Sequence, residues 1–125
     1  MKRILLMDDS SIFLEVMRAA LEKEGYSVVC ASTLAELDGV RASGDPSDLV
    51  LMDVQMPEAF GDDIAMTLRH AYGVQAPIYL LSSLEESELA ERARWAEIDG
   101  FISKNRGMDA VVTAVRGILE ARSHL

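Results

Sequence analysis

A short apolar run that ends in a carboxylate constrains the fold of this chain more than any other feature. Residues 49–52 read Leu-Val-Leu-Met, and Asp53 follows them directly. An uninterrupted apolar run of this length is typical of a strand buried on both faces of a parallel sheet. Pro57 cannot extend a strand ladder, so the strand ends before it. Asp53 is therefore predicted at the carboxyl end of a buried strand, where open α/β sheets place their ligands.

Four further strand-like runs alternate with amphipathic segments along the chain. These runs cover residues 2–7, 26–31, 77–82 and 100–104. The first two predicted helices begin at caps, Ser10 or Ser11 and then Thr33, and the others cover 61–72, 85–96 and 108–122. Strands joined through helices pair in parallel by right-handed crossovers. The pattern predicts an α/β fold, a doubly wound parallel sheet with helices on both faces, in one domain of residues 1–125.

Composition limits the partners and the compartment. Lys and Arg number 12 and Asp and Glu 21, so the formal net charge is −9. A domain this acidic is repelled by nucleic acid and by anionic membranes, and we expect neither as a partner. No apolar run approaches the ~18 residues of a membrane span, and the N-terminal run is too short for a signal peptide. The single cysteine, Cys30, cannot form an internal disulfide, which favours a cytoplasmic location.

Acidic residues follow two of the predicted strands. Asp8 and Asp9 end the first strand, and Asp53 ends the third. If these strands are neighbours, three carboxylates meet in one crevice and repel each other unless a cation lies among them. Oxygen ligands of this kind suit Mg²⁺, which also bridges to phosphate. The alternative is that the three aspartates lie on separate loops, solvated and without a role.

Two further polar side chains stand at predicted strand ends. Ser82 ends the fourth strand and offers a hydroxyl, and Lys104 ends the fifth and offers an ammonium group. Together with a carboxylate and a metal ion, these groups make a site that accepts a phosphoryl group, because the cations neutralise its oxygens and the hydroxyl donates to them. Taken singly, Ser82 is more often a loop cap and Lys104 an ordinary solvated lysine.

The whole pattern resembles the receiver domain of response regulators, the CheY-like family, over essentially all 125 residues. Its marks are Asp8-Asp9, Asp53 within Asp-Val-Gln-Met-Pro, Gly61, Ser82 and Lys104. The resemblance implies a flavodoxin-like (βα)5 three-layer sandwich with strand order 2-1-3-4-5. Because nothing after the last predicted helix resembles an output domain, we expect a stand-alone two-component signalling domain; the alternative is a receiver that is part of a longer protein. Such a domain is not an enzyme beyond its own phosphorylation and dephosphorylation.

The resemblance also implies roles for the acidic site. Asp53 would accept a phosphoryl group from a phosphohistidine of a sensor kinase or phosphotransfer protein. Asp9, Asp53 and the backbone carbonyl of Gln55 would bind Mg²⁺ directly, and Asp8 would help through water. Lys104 would pair with the phosphoryl group.

A switch is implied as well. Ser82 would move to hydrogen-bond the phosphoryl group, and Phe101 would swing into the vacated space; the alternative is a strand aromatic that never moves. The fourth helix, fifth strand and fifth helix would form the surface for an unknown downstream protein, and the two helices could also pair in a homodimer. Gln55 and Leu84 would tune dephosphorylation, and apolar Leu84 favours a slow to moderate rate because it cannot position a water.

Three positions depart from the family pattern. Asn105 replaces the proline that usually follows the lysine in a cis peptide, so we predict a trans Lys104-Asn105 bond and an altered loop. Glu97 replaces a glycine at the exit of the fourth helix. Because a left-handed residue is strained there, we expect the turn to take another path. Phe60 precedes Gly61 and could shield the site or meet a partner.

Trp95 lies off the apolar stripe of the fourth predicted helix. We expect the stems of Arg92 and Arg94 to half-cover it, because long charged side chains often pack this way. The alternative is an anchor for a partner, a role in which tryptophan is enriched.

Two other function classes compete with the phospho-receiver. One is a pseudo-receiver, a protein-interaction module that works without phosphorylation; the Asn105 substitution favours it and the intact acidic set opposes it. The other is a flavin- or nucleotide-binding enzyme of the same topology. It would need a glycine-rich phosphate loop after the first strand, but Asp8-Asp9 stand there and repel phosphate.

Overall fold

The computed structural model describes residues 1–123, in which five strands alternate with five α-helices. The strands are β1 (Arg3–Met7), β2 (Ser27–Ala31), β3 (Leu49–Met52), β4 (Ile78–Ser82) and β5 (Gly100–Ser103). The helices are α1 (Ser11–Lys23), α2 (Leu34–Ala42), α3 (Gly61–His70), α4 (Glu86–Ala96) and α5 (Met108–Ser123). A short 3₁₀ helix, Lys104–Arg106, joins β5 to α5. The last two residues of the predicted domain, His124 and Leu125, lie outside the described residues.

The five strands form one parallel sheet in the order β2-β1-β3-β4-β5, so the predicted α/β class and strand order are confirmed. The register aligns the strands at their carboxyl ends. Met7 of β1 pairs with Met52 of β3, and Ser82 of β4 pairs with Ser103 of β5. The residues that follow these pairs are therefore placed side by side at one edge of the sheet.

Apolar packing on both faces explains the continuous hydrophobic runs of β1 and β3. Alternate residues of β1 point to opposite faces: Leu5 belongs to one core cluster and Ile4 to the other. On the first face the core includes Ile64 from α3 and Leu89 from α4. On the second face it includes Met17 from α1. All four residues of β3 are buried, which leaves the strand ends as the place for polar groups.

Side-chain caps begin the first two helices, as the sequence predicts. The hydroxyl of Ser10, one of the two predicted candidates, accepts a hydrogen bond from the Phe13 N–H. The hydroxyl of Thr33 accepts one from the Glu36 N–H. Each bond satisfies a backbone donor in the first turn that has no partner within the helix.

Among the described residues, no helix is long and apolar enough to cross a membrane.

The exit of α4 contradicts the prediction for Glu97. Its φ of 56° and ψ of 46° place it in the left-handed region, so the turn does not take another path. The Glu97 N–H donates to the Arg94 carbonyl at 3.2 Å, and the Ile98 N–H donates to the Ala93 carbonyl at 3.2 Å. This pair of bonds is a Schellman motif, which satisfies carbonyls at the helix end. The bonds and the apolar packing of Ile98 hold Glu97 in a conformation that glycine would adopt without strain.

The prediction for Trp95 is also wrong. Its side chain is 75% exposed rather than half-covered by the neighbouring arginines. Arg92 turns instead toward α3, where it pairs with Asp62. The exposed tryptophan therefore needs an explanation other than packing within this chain.

Replacing Glu97 with glycine should stabilise the protein. We expect Glu97→Gly to raise the free energy of unfolding by about 0.5–1 kcal/mol, because relief of left-handed strain exceeds the added entropy of the unfolded glycine. Urea unfolding followed by circular dichroism measures the change. Glu97→Ala is the matched control, because it removes the same charge but keeps the strain; an equal gain from alanine would contradict the explanation.

Candidate functional site

Three carboxylates meet where β1 and β3 end. Oxygen atoms of Asp8, Asp9 and Asp53 all lie within 4.8 Å of one another. Asp8 is 1% exposed and Asp53 7%, whereas Asp9 faces solvent. The pairing of β1 with β3 brings them together. Asp8 directly follows Met7 of β1, Asp53 directly follows Met52 of β3, and Met7 and Met52 are aligned in the sheet. A buried pair with one solvent-facing member leaves an opening through which a cation or a reactant can enter.

Lys104 reaches this cluster from the end of β5, the edge strand of the sheet. Its Nζ donates to Asp8 Oδ2 at 2.7 Å and lies 3.8 Å from Asp53 Oδ1. The same ammonium lies 3.9 Å from the centre of the Phe13 ring, a cation–π contact. The sequence patterns gave Phe13 no role at the acidic site. The one available signal was its position in the first turn after Asp8-Asp9, which places it beside the carboxylates.

The surroundings of Asp53 change its pKa. Burial raises its pKa, the positive charge of Lys104 opposes the rise, and the negative charge of Asp8 adds to it; the resulting pKa is about 6. The Val54 N–H donates to Asp53 Oδ1 at 2.9 Å and favours the ionised form. Near neutral pH the carboxylate is therefore ionised but poorly solvated.

The loop after Asp53 is packed against the start of α3. The Gly61 N–H donates to the Val54 carbonyl at 2.8 Å. A Cβ atom on Gly61 would lie 1.6 Å from the carbonyl oxygen of Asp53, closer than any two nonbonded atoms can approach. Only glycine therefore fits at position 61 with this backbone, and it fixes the backbone of Asp53 relative to α3.

The hydroxyl and the aromatic of the predicted switch lie on neighbouring strands. Ser82 is buried, and its Oγ accepts a hydrogen bond from the Leu84 N–H at 3.3 Å. Phe101, on β5, is half-buried and packs against the core cluster that includes Leu80 and Leu89. Both side chains thus occupy defined positions in the described state, Ser82 tied to its own loop and Phe101 partly inserted.

Asn105 connects the two loops that flank the site. Within residues 1–123 every peptide bond is trans, as predicted for Lys104-Asn105. The Asn105 Nδ2 donates to the Ser83 carbonyl at 2.9 Å, and its backbone N–H donates to Ser103 Oγ at 3.1 Å. The asparagine therefore joins the loop after β4 to the loop after β5, a link that a proline could not make because it has no side-chain donor.

The segment between Asp53 and α3 exposes two of the singled-out residues. Gln55 and Phe60 form an isolated antiparallel bridge, which closes the loop on itself. The Gln55 side chain is exposed, and Phe60 is 53% exposed. The Phe60 ring faces the Arg92 guanidinium on α4 at 5.2 Å.

An amide at position 53 should stabilise the metal-free protein in a pH-dependent way. The folded-state pKa of Asp53 lies above its unfolded value, so its contribution to stability falls as pH rises from about 4 to about 6. Above about pH 6 we expect the free energy of unfolding of Asp53→Asn to exceed that of the wild type by about 1–2 kcal/mol, and below about pH 4 by less. Urea unfolding in EDTA across this range measures the difference. Added Mg²⁺ should reduce the difference in free energy of unfolding between the two proteins at neutral pH. A difference that does not change with pH would contradict the prediction.

Comparisons with known proteins identify the family. The model of the response regulator receiver domain matches residues 4–116. The transcriptional regulatory protein KdpE of Mycobacterium tuberculosis is 32% identical over 117 residues, 93% of this chain and 50% of that protein. The chemotaxis protein CheY of Halobacterium salinarum is 30% identical over 120 residues, 96% of this chain and 98% of that protein. The chain thus spans about half the length of KdpE and nearly all of CheY.

A solved structure agrees with the sequence comparisons. The response regulator protein TrrA of Thermotoga maritima, in complex with Mg²⁺ and BeF, is 30% identical, with a TM-score of 0.79, 94% of this chain covered and 99% of that one. The family match spans most of the chain, and the strand order of this chain's sheet places the acidic cluster at the carboxyl ends of its strands. The chain belongs to the response regulator receiver domains of two-component signalling systems.

Proposed function

We propose that residues 1–125 form one receiver domain that accepts a phosphoryl group on Asp53 from the phosphohistidine of a sensor kinase or phosphotransfer protein. One observation carries this proposal: an ionised but poorly solvated carboxylate lies beside an ammonium group and two further carboxylates. A carboxylate that water solvates poorly is a better nucleophile toward phosphorus than an exposed one. The family membership provides the chemical class of the donor.

In the proposed transfer an Asp53 oxygen attacks the phosphorus atom while the bond from phosphorus to the donor imidazole nitrogen breaks. The bonding electrons leave with the imidazole, which a proton from solvent then neutralises. Lys104 lies 3.8 Å from Asp53 Oδ1 and would exchange part of its bond to Asp8 for one to the transferred oxygens. Phe13 would keep the ammonium over the site during this exchange.

The acidic cluster fits a magnesium ion by its chemistry. Three carboxylates lie close together and one ammonium group balances only part of their charge, so a hard divalent cation is the expected complement. Asp9, Asp53 and the backbone carbonyl of Gln55 would bind the ion directly, and Asp8 would contribute through water. When bound, Mg²⁺ supplies charge neutralisation for the phosphoryl oxygens.

The output of the domain would be a change on the face of α4, β5 and α5. Ser82 would leave the Leu84 N–H to donate to a phosphoryl oxygen, and Phe101, already half-buried, would move further inward. The bond from Asn105 to the Ser83 carbonyl would transmit the loop movement toward α5. The changed face would bind a downstream protein, or a second copy of this chain through α4 and α5.

Labelling with a small phosphodonor tests the proposal. Wild-type protein incubated with Mg²⁺ and a small phosphodonor should gain the mass of one phosphoryl group, and Asp53→Asn should gain none, because its amide cannot attack phosphorus. Lys104→Ala should slow the labelling by about tenfold or more, through the loss of charge stabilisation. Intact mass spectrometry measures both rates. Ser82→Ala is the companion variant: it should label but fail to change the hydrogen exchange of α4 and α5.

An absence of labelling on folded wild type would favour the pseudo-receiver instead. That second function keeps the fold and the surface but dispenses with phosphoryl transfer. The Asn105 side-chain link between the site loops is the observation that favours it, because it restrains the loop that the proposed switch moves.

The residues flanking the site should set the lifetime of the phosphoryl group. Leu84 packs partly against the core and offers no polar atom to an attacking water, whereas the Gln55 side chain is exposed. We expect Leu84→Glu to shorten the lifetime, because a carboxylate there can orient a water, and Gln55→Ala to alter it. Loss of the phosphoryl mass after removal of the donor gives the rate. Unchanged lifetimes in both variants would rule out tuning by these positions.

A further inference from the structure

A surface groove lies between the start of α3 and the outer face of α4, beyond the acidic site. It encloses about 490 Å³ and we call it the α3–α4 groove. One wall includes Phe60, which directly precedes α3, and Asp62 and Asp63 of α3; the other includes Glu91, Arg92 and Trp95 of α4. The α4 residues share one helix face because Trp95 follows Glu91 by four positions and Arg92 by three. This face flanks the buried face of α4, which carries Leu89 three positions before Arg92.

Two large aromatic side chains rim the groove and face solvent. Trp95 is 75% exposed and Phe60 53%. Arg92 lies between them: its Nη1 donates to Asp62 Oδ1 at 3.1 Å and its Nε to Glu88 Oε2 at 2.9 Å, with the guanidinium over the Phe60 ring. Two carboxylates therefore hold the guanidinium between the aromatic side chains, both of which remain more than half exposed.

The charge of the groove is strongly negative. Four carboxylates and one guanidinium line it. Arg92 pairs with two of the carboxylates, on Asp62 and Glu88. The other two, Asp63 and Glu91, make no ion pair within residues 1–123 and lie exposed on opposite walls. A ligand that lies along the groove would meet unpaired negative charge on both sides and aromatic surface at the rim.

We propose that the α3–α4 groove docks a segment of a partner protein that carries lysine or arginine side chains next to an apolar one. The cations would pair with Asp63 and Glu91, and the apolar side chain would cover Trp95. Aromatic side chains contribute most where they become buried against a partner, and indole rings also attract cations. Because the unpaired carboxylates and the exposed tryptophan line one groove side by side, a basic amphipathic helix fits best.

The negative charge of the groove argues against nucleic acid, an anionic membrane or a second copy of this chain as its ligand. Nucleic acid and anionic membrane are repelled by the groove as they are by the whole chain, which carries a formal charge of −9. A second copy on the same groove would place Asp63 and Glu91 opposite themselves or each other, because a two-fold interface repeats the same patch. The proposal does not rest on phosphorylation, since none of the groove residues belongs to the acidic cluster of Asp8, Asp9 and Asp53.

Binding of a designed probe tests the groove. A fluorescein-labelled helical peptide with lysines on one face and leucines on the other should bind, and its glutamate counterpart should not. Trp95 is the single tryptophan of the chain, so its emission should shift to shorter wavelength as the peptide covers it. Trp95→Ala should weaken binding about tenfold or more by anisotropy. Ile12→Ala, which truncates an equally exposed apolar residue on α1, should change affinity by about twofold or less.

Reversing a charge in the groove provides a second, independent test of the proposal. Glu91→Lys should weaken binding about fivefold or more, and Glu120→Lys, with the same net charge but on α5, by about twofold or less. Equal losses in the two variants would show that the peptide follows net charge alone, and would overturn the proposal. A shift of Trp95 emission with protein concentration, without peptide, would point to a second copy and overturn it as well. Asp53→Asn should bind the peptide like wild type, which separates this result from the phosphorylation test.

Discussion

Repulsion among Asp8, Asp9 and Asp53 is the constraint around which the rest of this molecule is arranged. Two like charges about 4 Å apart repel by about 4 kcal/mol at the dielectric typical of a protein surface. Lys104 offsets part of this cost through its 2.7 Å bond to Asp8, but one ammonium group cannot balance three carboxylates. The fold thus holds a local excess of negative charge in place, and that excess makes the site receptive to a cation.

Rigid backbone supports the charged cluster on several sides. The apolar β1 and β3 are buried on both faces, so the strand ends cannot separate without exposing the core. Gly61 brings the start of α3 against the carbonyl of Asp53, and any larger residue would push the two apart. Because the cluster is repulsive, this support from packing is what keeps the carboxylates within reach of one another.

The loops after α4 and β5 depart from the family pattern at one residue each, and hydrogen bonds hold both loops in place. Asn105 stands where a proline is usual and ties the loop after β5 to the Ser83 carbonyl. Glu97 stands where a glycine is usual and adopts the left-handed conformation, held by two Schellman hydrogen bonds. At Glu97 the hydrogen bonds override a local preference, whereas the trans Lys104-Asn105 peptide follows one, and the ammonium of Lys104 still reaches the site.

Local sequence pattern determined the elements of this protein, because apolar periodicity, caps and turn residues act over a few positions. It identified five strands, five helices and the carboxylates that end β1 and β3, all within one or two residues of the observed bounds. Tertiary structure decided what depends on distant groups: the pairing of Lys104 with Asp8, the cation–π contact to Phe13, the raised pKa of Asp53, the turn at Glu97 and the exposure of Trp95. The contacts of Lys104, the charges around Asp53 and the Arg92–Asp62 pair beside Trp95 join residues far apart in the chain, and the turn at Glu97 includes the core packing of Ile98. Their energies therefore depend on a register and a packing that no local pattern encodes.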